Sequence, residues 1–289
     1  MHIPVLLNEL IDYLNPKANE NFIDCTLNGG GHTKAILEKI KPNGKVLGIE
    51  WDKEIFENIK KQNIERLIAV NDSYINLKEI TEKNNFKNVS GIIFDLGMSS
   101  YQIDESERGF SFLKNQPLIM TYGDAQKTAK EIVNEYEEEK LEKIIREYGE
   151  EKFSRKIAKK IVLTRKIKPI ETTHDLIEII RQAIPGNQGH QKIHFATRTF
   201  QAIRIETNQE LENIQTALPQ AMDILNPGGK LAVISFHSLE DRIVKNFFKD
   251  QAKQGKATIV TEKPIVPEEK EAQANPRARS SKLRIIIRN

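Results

Sequence analysis

The sequence predicts an α/β fold, a doubly wound and mostly parallel sheet with a helical domain inserted into it. Three observations carry that expectation. Between residues 21 and 95 short apolar runs alternate with amphipathic stretches, the pattern of successive strand and helix units in a parallel sheet. From about 105 to 207 the strand pattern lapses into long charged amphipathic segments. Strand character then resumes at 230–236 and near the C-terminus.

In chain order, strands are expected at 22–27, 45–50, 67–71 and 90–95, each an Ile-, Val-, Leu- or Phe-rich run. Helical spacing fills the gaps at 33–40, 53–62 and 76–84, and Pro42-Asn43-Gly44 stops the first of these helices. The insertion is read as helices at 129–145, 151–164 and 173–183. A helix at 208–225, an Asn226-Pro227-Gly228-Gly229 turn, a strand at 230–236 and a helix at 239–252 follow. Two short strands, 257–262 and 282–287, close the chain, with 264–276 read as an exposed loop. The sheet domain is thus assigned to 1–105 and 206–289, and the helical insertion to 106–205.

Composition bounds the partners. With 44 basic and 41 acidic residues the net charge is +3, too balanced for a protein that coats polyanions wholesale. Hydrophobic residues at 38% suffice for a folded core. No apolar run approaches the length that crosses a bilayer, and the first fifteen residues lack the build of a signal peptide, so a cytoplasmic protein without membrane contact is expected. The single cysteine, Cys25, closes no disulfide, and one thiol among six histidines gives no metal-ligand pattern. No metal is expected.

Ligands of open parallel sheets sit at the carboxyl ends of the strands. Strand one runs into Asn28-Gly29-Gly30-Gly31-His32, where glycines admit a ligand to the backbone and the following helix offers unpaired N–H groups to a carboxylate or phosphate. His32 opens that helix and is read as contributing through its backbone rather than as a catalytic imidazole. Strand two ends in Glu50, 21 positions after Gly29, a spacing at which an acid grips ribose hydroxyls. The dinucleotide fingerprint needs a third glycine where Lys34 stands, which opposes an NAD-dependent oxidoreductase, and no Gly-Lys-Ser/Thr phosphate loop is present. S-adenosylmethionine, with a ribose and a carboxylate but no pyrophosphate, suits the pattern better.

Strand four delivers Asp95-Leu96-Gly97-Met98-Ser99-Ser100, so Asp95, Ser99 and Ser100 are the catalytic candidates. An exocyclic base amine is a weak nucleophile because its lone pair is delocalised into the ring. A carboxylate or carbonyl that accepts its N–H groups localises that pair and aims it at a methyl donor. Asp95 reads equally as a residue that only binds cofactor or caps the next segment.

The chain resembles the bacterial 16S ribosomal RNA cytosine N4-methyltransferases, the RsmH or MraW family. The resemblance runs from end to end, through His2-Ile3-Pro4-Val5-Leu6-Leu7, Asp24-Cys25-Thr26 with Gly30-Gly31-His32, the Asp95 to Ser100 string and Glu107-Arg108-Gly109-Phe110-Ser111-Phe112. It continues through Tyr148-Gly149-Glu150-Glu151, Ala196-Thr197-Arg198-Thr199-Phe200-Gln201-Ala202, Ser235-Phe236-His237-Ser238-Leu239-Glu240-Asp241-Arg242 and Asn275-Pro276-Arg277-Ala278-Arg279-Ser280. It implies a class I S-adenosylmethionine-dependent methyltransferase, a Rossmann-like sheet with a helical insertion that recognises RNA. The implied substrate is a cytidine in the decoding region of the small ribosomal subunit, with 16S rRNA as partner. The implied cofactor contacts are Gly30, Gly31, His32, Glu50, Tyr74, Asp95 and Gln102. Tyr74 is read as packing on adenine or as an ordinary half-buried aromatic, Gln102 as a ligand of cofactor or base or as a polar turn residue.

The chain departs from the family where Pro117-Leu118-Ile119-Met120-Thr121-Tyr122 stands in place of the usual Pro-Leu-Asp-Met-Arg-Met. An acid and an arginine are replaced by Ile119 and Thr121, which keeps open a non-catalytic RNA-binding or ribosome-assembly role on the same fold. Asn28-Gly29 replaces the usual Gly-Arg, and Glu50 replaces a more common Asp.

Charge is unevenly placed. Residues 152–168 hold eight basic residues and no acid, and the segment 242–289 carries a net +7. Such stripes neutralise phosphates or are solvated helix faces. Arg198 and Arg204 are candidates for phosphate contacts and Phe200 for stacking a displaced base or for the core. His237 is read as shaping a base pocket or capping a helix, and Arg277 and Arg279 belong to the basic tail. The oligomeric state is left open by the sequence, a homodimer included.

Overall fold

The structure, a computed structural model, describes residues 4–123, 127–185 and 194–289, so His2 and Ile3 of the N-terminal string lie outside the described residues. By its contacts the chain divides into two units, Met1–Gly97 with Leu211–Asn289, and Met98–Glu210. The sequence reading draws the corresponding joins at 105/106 and 205/206.

The first unit begins with α1 (Leu7–Leu14), β1 (Asn21–Asp24), α2 (Gly31–Lys39), β2 (Val46–Glu50), α3 (Lys53–Lys60), β3 (Leu67–Asn71), α4 (Leu77–Lys83) and β4 (Val89–Asp95). The second unit then supplies α5 (Ser100–Asp104), α6 (Ala129–Glu135), α7 (Glu138–Glu147), α8 (Ser154–Arg165), α9 (Thr173–Ala183) and α10 (Thr197–Asn208). The chain returns through α11 (Glu210–Ile224), β5 (Leu225–Ser235), α12 (Ser238–Lys253), β6 (Ala257–Ile259), α13 (Glu269–Ala274) and β7 (Lys282–Arg288).

The strands form one sheet in the order β3-β2-β1-β4-β5-β7-β6. The pairs from β3 to β5 are parallel. β7 runs antiparallel between β5 and β6. This is the Rossmann-like class I methyltransferase sheet that the resemblance implies. Successive strand residues feed opposite faces, as the pleat requires. Ile23, Leu47, Ile92, Leu231 and Val233 pack with α4, α11 and α12, including Leu77, Leu218 and Phe248. Phe22, Val46, Ile93, Ala232 and Ile285 pack with Leu10 and Leu14 of α1 and Ile36 of α2 on the other face. Both faces are therefore covered, which explains why these strands read as continuous apolar runs.

The second unit has its own core, in which Leu141 and Ile145 of α7, Ile157 and Ile161 of α8, and Leu176 and Ile180 of α9 meet. Its helices start on local signals. Thr128 and Glu131 form a capping box at α6, and Thr172 and Asp175 form one at α9.

Several local expectations are corrected. The single helix expected at 129–145 is two, because Tyr136 and Glu137 are extended, with ψ 142° and 152°. The helix expected at 208–225 starts at Glu210, after Gln209 takes a left-handed φ of 51°. α10 was not anticipated at all. The loop expected at 264–276 contains α13, whose Glu-Lys-Glu-Ala-Gln-Ala sequence consists of strong helix formers. The turn at 226–229 loops out of the β5 ladder, where pairing jumps from Val89↔Leu225 to Gly91↔Lys230.

Candidate active site

Three acids stand at the carboxyl ends of neighbouring parallel strands: Asp24 on β1, Glu50 on β2 and Asp95 on β4. All three side chains are buried, with residue exposures of 1%, 6% and 6%. An ionised carboxylate out of water needs donors or a counter-charge. The three acids differ in how far the protein supplies them.

Asp24 is satisfied locally. It accepts from the Thr33 hydroxyl at 2.6 Å and from the Thr26 backbone at 3.2 Å, and so braces the turn between β1 and α2. Burial raises its pKa, against these hydrogen bonds and the nearby His32.

Glu50 accepts from the backbone N–H of Asn28 and of Asp52, both at 2.8 Å. It thereby ties the glycine loop after β1 to the end of β2. Each oxygen has further acceptor capacity. Burial pushes its carboxyl up to about 8, against the pull of those two amides.

Asp95 is the least satisfied. Its backbone N–H donates to Thr26 Oγ1 at 2.6 Å, which locks β4 to the β1 turn. Its Oδ1 has no hydrogen-bond partner among the described residues. Its Oδ2 lies 3.7 Å from His32 Nδ1. Burial raises its carboxyl to about 6, helped by the neighbouring Asp24 and Glu240 and opposed by His32.

The loop after β1 is shaped for a ligand. Asn28 and Gly30 take left-handed φ of 46° and 73°, and Gly30 is the residue before α2. At Gly31 a Cβ would lie 2.2 Å from Pro4 Cγ, so only glycine passes there. His32 is buried, and its Nε2 bonds the Val5 carbonyl at 2.9 Å. Its imidazole is thus engaged in holding the N-terminal segment. Tyr74 follows β3 half-buried, its ring edge-on to Phe94 with centroids 5.5 Å apart.

The structure brings Gly30, Gly31, His32, Glu50 and Asp95 together at this sheet edge. Ser99, Ser100 and Gln102 belong to the second unit. There Ser99 caps α5 in a reciprocal box with Gln102: the Ser99 N–H donates to Gln102 Oε1 at 2.9 Å, and Ser99 Oγ accepts from the Gln102 N–H at 3.1 Å. Both side chains are buried, and Ser100 is half-buried.

The RNA candidates are placed as follows. Arg198 donates to the Glu150 carbonyl at 3.2 Å. Phe200 is 5% exposed and meets Phe112 edge-on at 5.4 Å, so it serves the core rather than offering a free stacking face. Arg204 forks onto the Glu210 carboxylate at 2.9 and 3.1 Å with its side chain only 14% exposed, which uses the guanidinium internally. His237 caps α12 in a box with Glu240, the second of its two readings. Arg277 and Arg279 lie exposed on a 3-10 turn at Pro276–Ser280. No helix among the described residues is long and apolar enough to cross a membrane.

Sequence reasoning missed two residues that hold this architecture. Asn208 is 1% exposed and accepts from the Tyr122 N–H at 2.9 Å while donating to the Met120 carbonyl at 2.7 Å. Thr26 joins β4 to the β1 turn. In the sequence, Asp24-Cys25-Thr26 stands out only as part of a family string.

A site of buried, under-satisfied acids beside a glycine turn complements a cationic ligand that carries hydroxyl donors. S-adenosylmethionine, the cofactor of the methyltransferase fold, has both features. Glu50 would hold the ribose hydroxyls, the Gly30–Gly31 turn the carboxylate, and Asp95 would face positive charge.

The chain is similar to known proteins over its whole length. Curated relatives named ribosomal RNA small subunit methyltransferase H include one from Thermosipho melanesiensis, 48% identical over 99% of this chain and 97% of its own. Another, from Clostridium botulinum, is 46% identical over 98% of this chain and 97% of its own. Among solved structures, one titled a putative rRNA-methylase from Clostridium thermocellum aligns over 100% of both chains with a TM-score of 0.49 and 14% identity. The model of the MraW methylase family matches residues 1–289, and the chain belongs to that family.

Proposed function

We propose that this protein transfers a methyl group from S-adenosylmethionine to the exocyclic N4 of a cytidine in the decoding region of 16S rRNA. The observation that carries the reading is the Asp95 carboxylate: buried at the end of β4, with Oδ1 unpartnered among the described residues and its pKa raised to about 6. When bound, the cofactor supplies an electrophilic methyl on a cationic sulfur and departs as S-adenosylhomocysteine.

The protein's own part is to make a poor nucleophile competent. Asp95 Oδ1 accepts an N–H of the cytosine amine, which localises the nitrogen lone pair and turns it towards the methyl carbon. As the N–C bond forms, the amine acidifies, and a carboxylate with a pKa near neutrality is suited to take its proton. Thr26 and the β4 ladder hold Asp95 in place. The target base must leave its stack to reach a buried acid, as in other enzymes that modify bases. The relatives' names, which specify small-subunit rRNA, support the substrate class.

The decisive experiment incubates the protein with tritiated S-adenosylmethionine and small subunits lacking the modification. Label appears on cytidine N4, and Asp95→Ala removes it while the protein stays folded. Label on another base or position overturns the reading. The second reading, an assembly factor that keeps the fold without transfer, draws on Ile119 and Thr121. Normal cofactor binding by calorimetry together with no transfer to subunit or naked RNA would establish it.

A further inference from the structure

We propose that the outer face of α8 is the surface on which the RNA phosphate backbone docks; the inference rests on the rRNA reading above. One face of α8 closes the second unit's core through Ile157, Ala158 and Ile161, each 0% exposed. The opposite side carries Arg155, Lys156 and Lys159, all exposed, with Lys152 just before the helix and Lys166 just after it. Steps of three and four residues put 152, 156, 159, 163 and 166 on one continuous line. At 1.5 Å per residue that line is about 20 Å long, enough to follow several phosphates of one strand.

Two features separate this stripe from an ordinary solvated face. First, its charge is not neutralised locally. Lys152, Arg155, Lys156, Lys159 and Lys166 make no ion pair among the described residues. Several acids on the neighbouring helices are taken by other cations: Glu142 by Arg146 at 3.2 Å, Glu178 by Arg181 at 2.7 Å and Asp175 by Lys168 at 3.7 Å. Lys160, half-buried, also acts on Glu178. Second, Leu163 stands 50% exposed within the same line, and Ile167 89% exposed just beyond the helix. Apolar side chains between cations suit the sugar edges and base faces of RNA, whereas a face selected only for solubility would shed them.

The test measures binding of a 16S rRNA fragment from the decoding region across a salt series. The variants are the triple R155Q/K156Q/K159Q and a control triple K39Q/K60Q/K61Q, which removes the same charge from exposed positions in the first unit. Three lost phosphate contacts predict that the slope of log K against log salt falls by about 2 to 3 in the α8 variant, and affinity by at least about tenfold at low salt. In transfer assays KM for RNA rises while kcat at saturating RNA is kept. An unchanged slope, or equal losses in both triples, overturns the proposal. So does an effect confined to binding of anionic phosphatidylglycerol vesicles, which would mark a membrane surface instead. Should wild type bind this RNA without methylating it, the slope comparison still decides the docking face, and only the reading of the reaction fails.

Discussion

His32 and Asp95 face each other in the interior of the first unit, Nδ1 to Oδ2 at 3.7 Å, while the other ring nitrogen of His32 meets the Val5 carbonyl at 2.9 Å. A carbonyl only accepts, so Nε2 carries a hydrogen and donates. His32 and the Gly97 backbone amide favour the ionised form of Asp95, which burial opposes, and Asp95 Oδ1 is left without a partner among the described residues. The pair is poised for a ligand that brings positive charge.

Cofactor binding should therefore release protons. Asp95 titrates near 6 and Glu50 near 8 without ligand, so both are partly protonated between those values. A sulfonium near Asp95 and hydroxyls donating to Glu50 favour the ionised forms. S-adenosylmethionine affinity is expected to rise as pH goes from about 6 to 8. Calorimetry in two buffers of different ionisation enthalpy reads the released protons directly. Affinity that stays flat over this window contradicts the assignment of either acid to the cofactor.

The same acids set how stability of the ligand-free protein responds to pH. A carboxyl that titrates near 4 in the unfolded chain and higher when folded binds more protons in the native state between those values. Stability accordingly falls as pH rises, from about 4 to about 6 through Asp95 and on to about 8 through Glu50. Each displaced unit is worth about 1.4 kcal/mol. Glu50→Gln removes the upper part of this loss, so urea midpoints of the variant should converge with or exceed those of wild type near pH 8 while its cofactor affinity drops. A parallel pH dependence in the two proteins would count against a buried, destabilising Glu50.

Asn208→Ala is expected to cost about 2–3 kcal/mol, because it strands the Tyr122 N–H and the Met120 carbonyl. Met120 holds a left-handed φ of 57°, a conformation that needs such support. Tyr122→Phe removes the hydroxyl and its bond to Glu210 at 3.0 Å and should cost about 1 kcal/mol. Chemical denaturation separates the two; equal costs would place the stabilisation on Tyr122–Glu210 and not on Asn208.

These residues also show where the sequence is readable. Glu50 and Asp95 are legible because each ends an apolar run, and strand ends are where parallel sheets bind ligands; Asp24 is not, because the apolar Cys25 and Leu27 beyond it extend the expected strand to 27 while β1 ends at Asp24. α10 is not legible because Thr199, Phe200, Ala202, Ile203, Ile205, Thr207 and Asn208 are all buried. Thr199, Thr207 and Asn208 put polar residues on the enclosed side, so the apolar period is broken. Asn208 then resembles the start of the next helix, when the actual break is the left-handed Gln209 and the Asn side chain is turned to a loop 86 residues earlier. The residue types of Arg204 and Phe200 suit RNA, and Phe200 suits the core as well; only packing shows that Glu210 and Phe112 hold them.

Gly31→Ala tests the coupling between the N-terminal segment and the cofactor site. The added Cβ would meet Pro4 Cγ at 2.2 Å, and a proline ring cannot rotate aside as a flexible side chain does. Pro4 must shift, and with it Val5, whose carbonyl receives His32. The variant should lose about 1–3 kcal/mol of stability, as overpacked sites do, and cofactor affinity should drop at least about tenfold as His32 is released from its position opposite Asp95. Gly91→Ala supplies the contrast. Its Cβ would press on the Phe22 ring at 2.4 Å, a comparable clash that does not involve Pro4. Similar losses of stability with a much larger loss of binding in Gly31→Ala identify the N-terminal segment as a support of the site. Equal binding losses in the two variants would reduce that segment to packing alone.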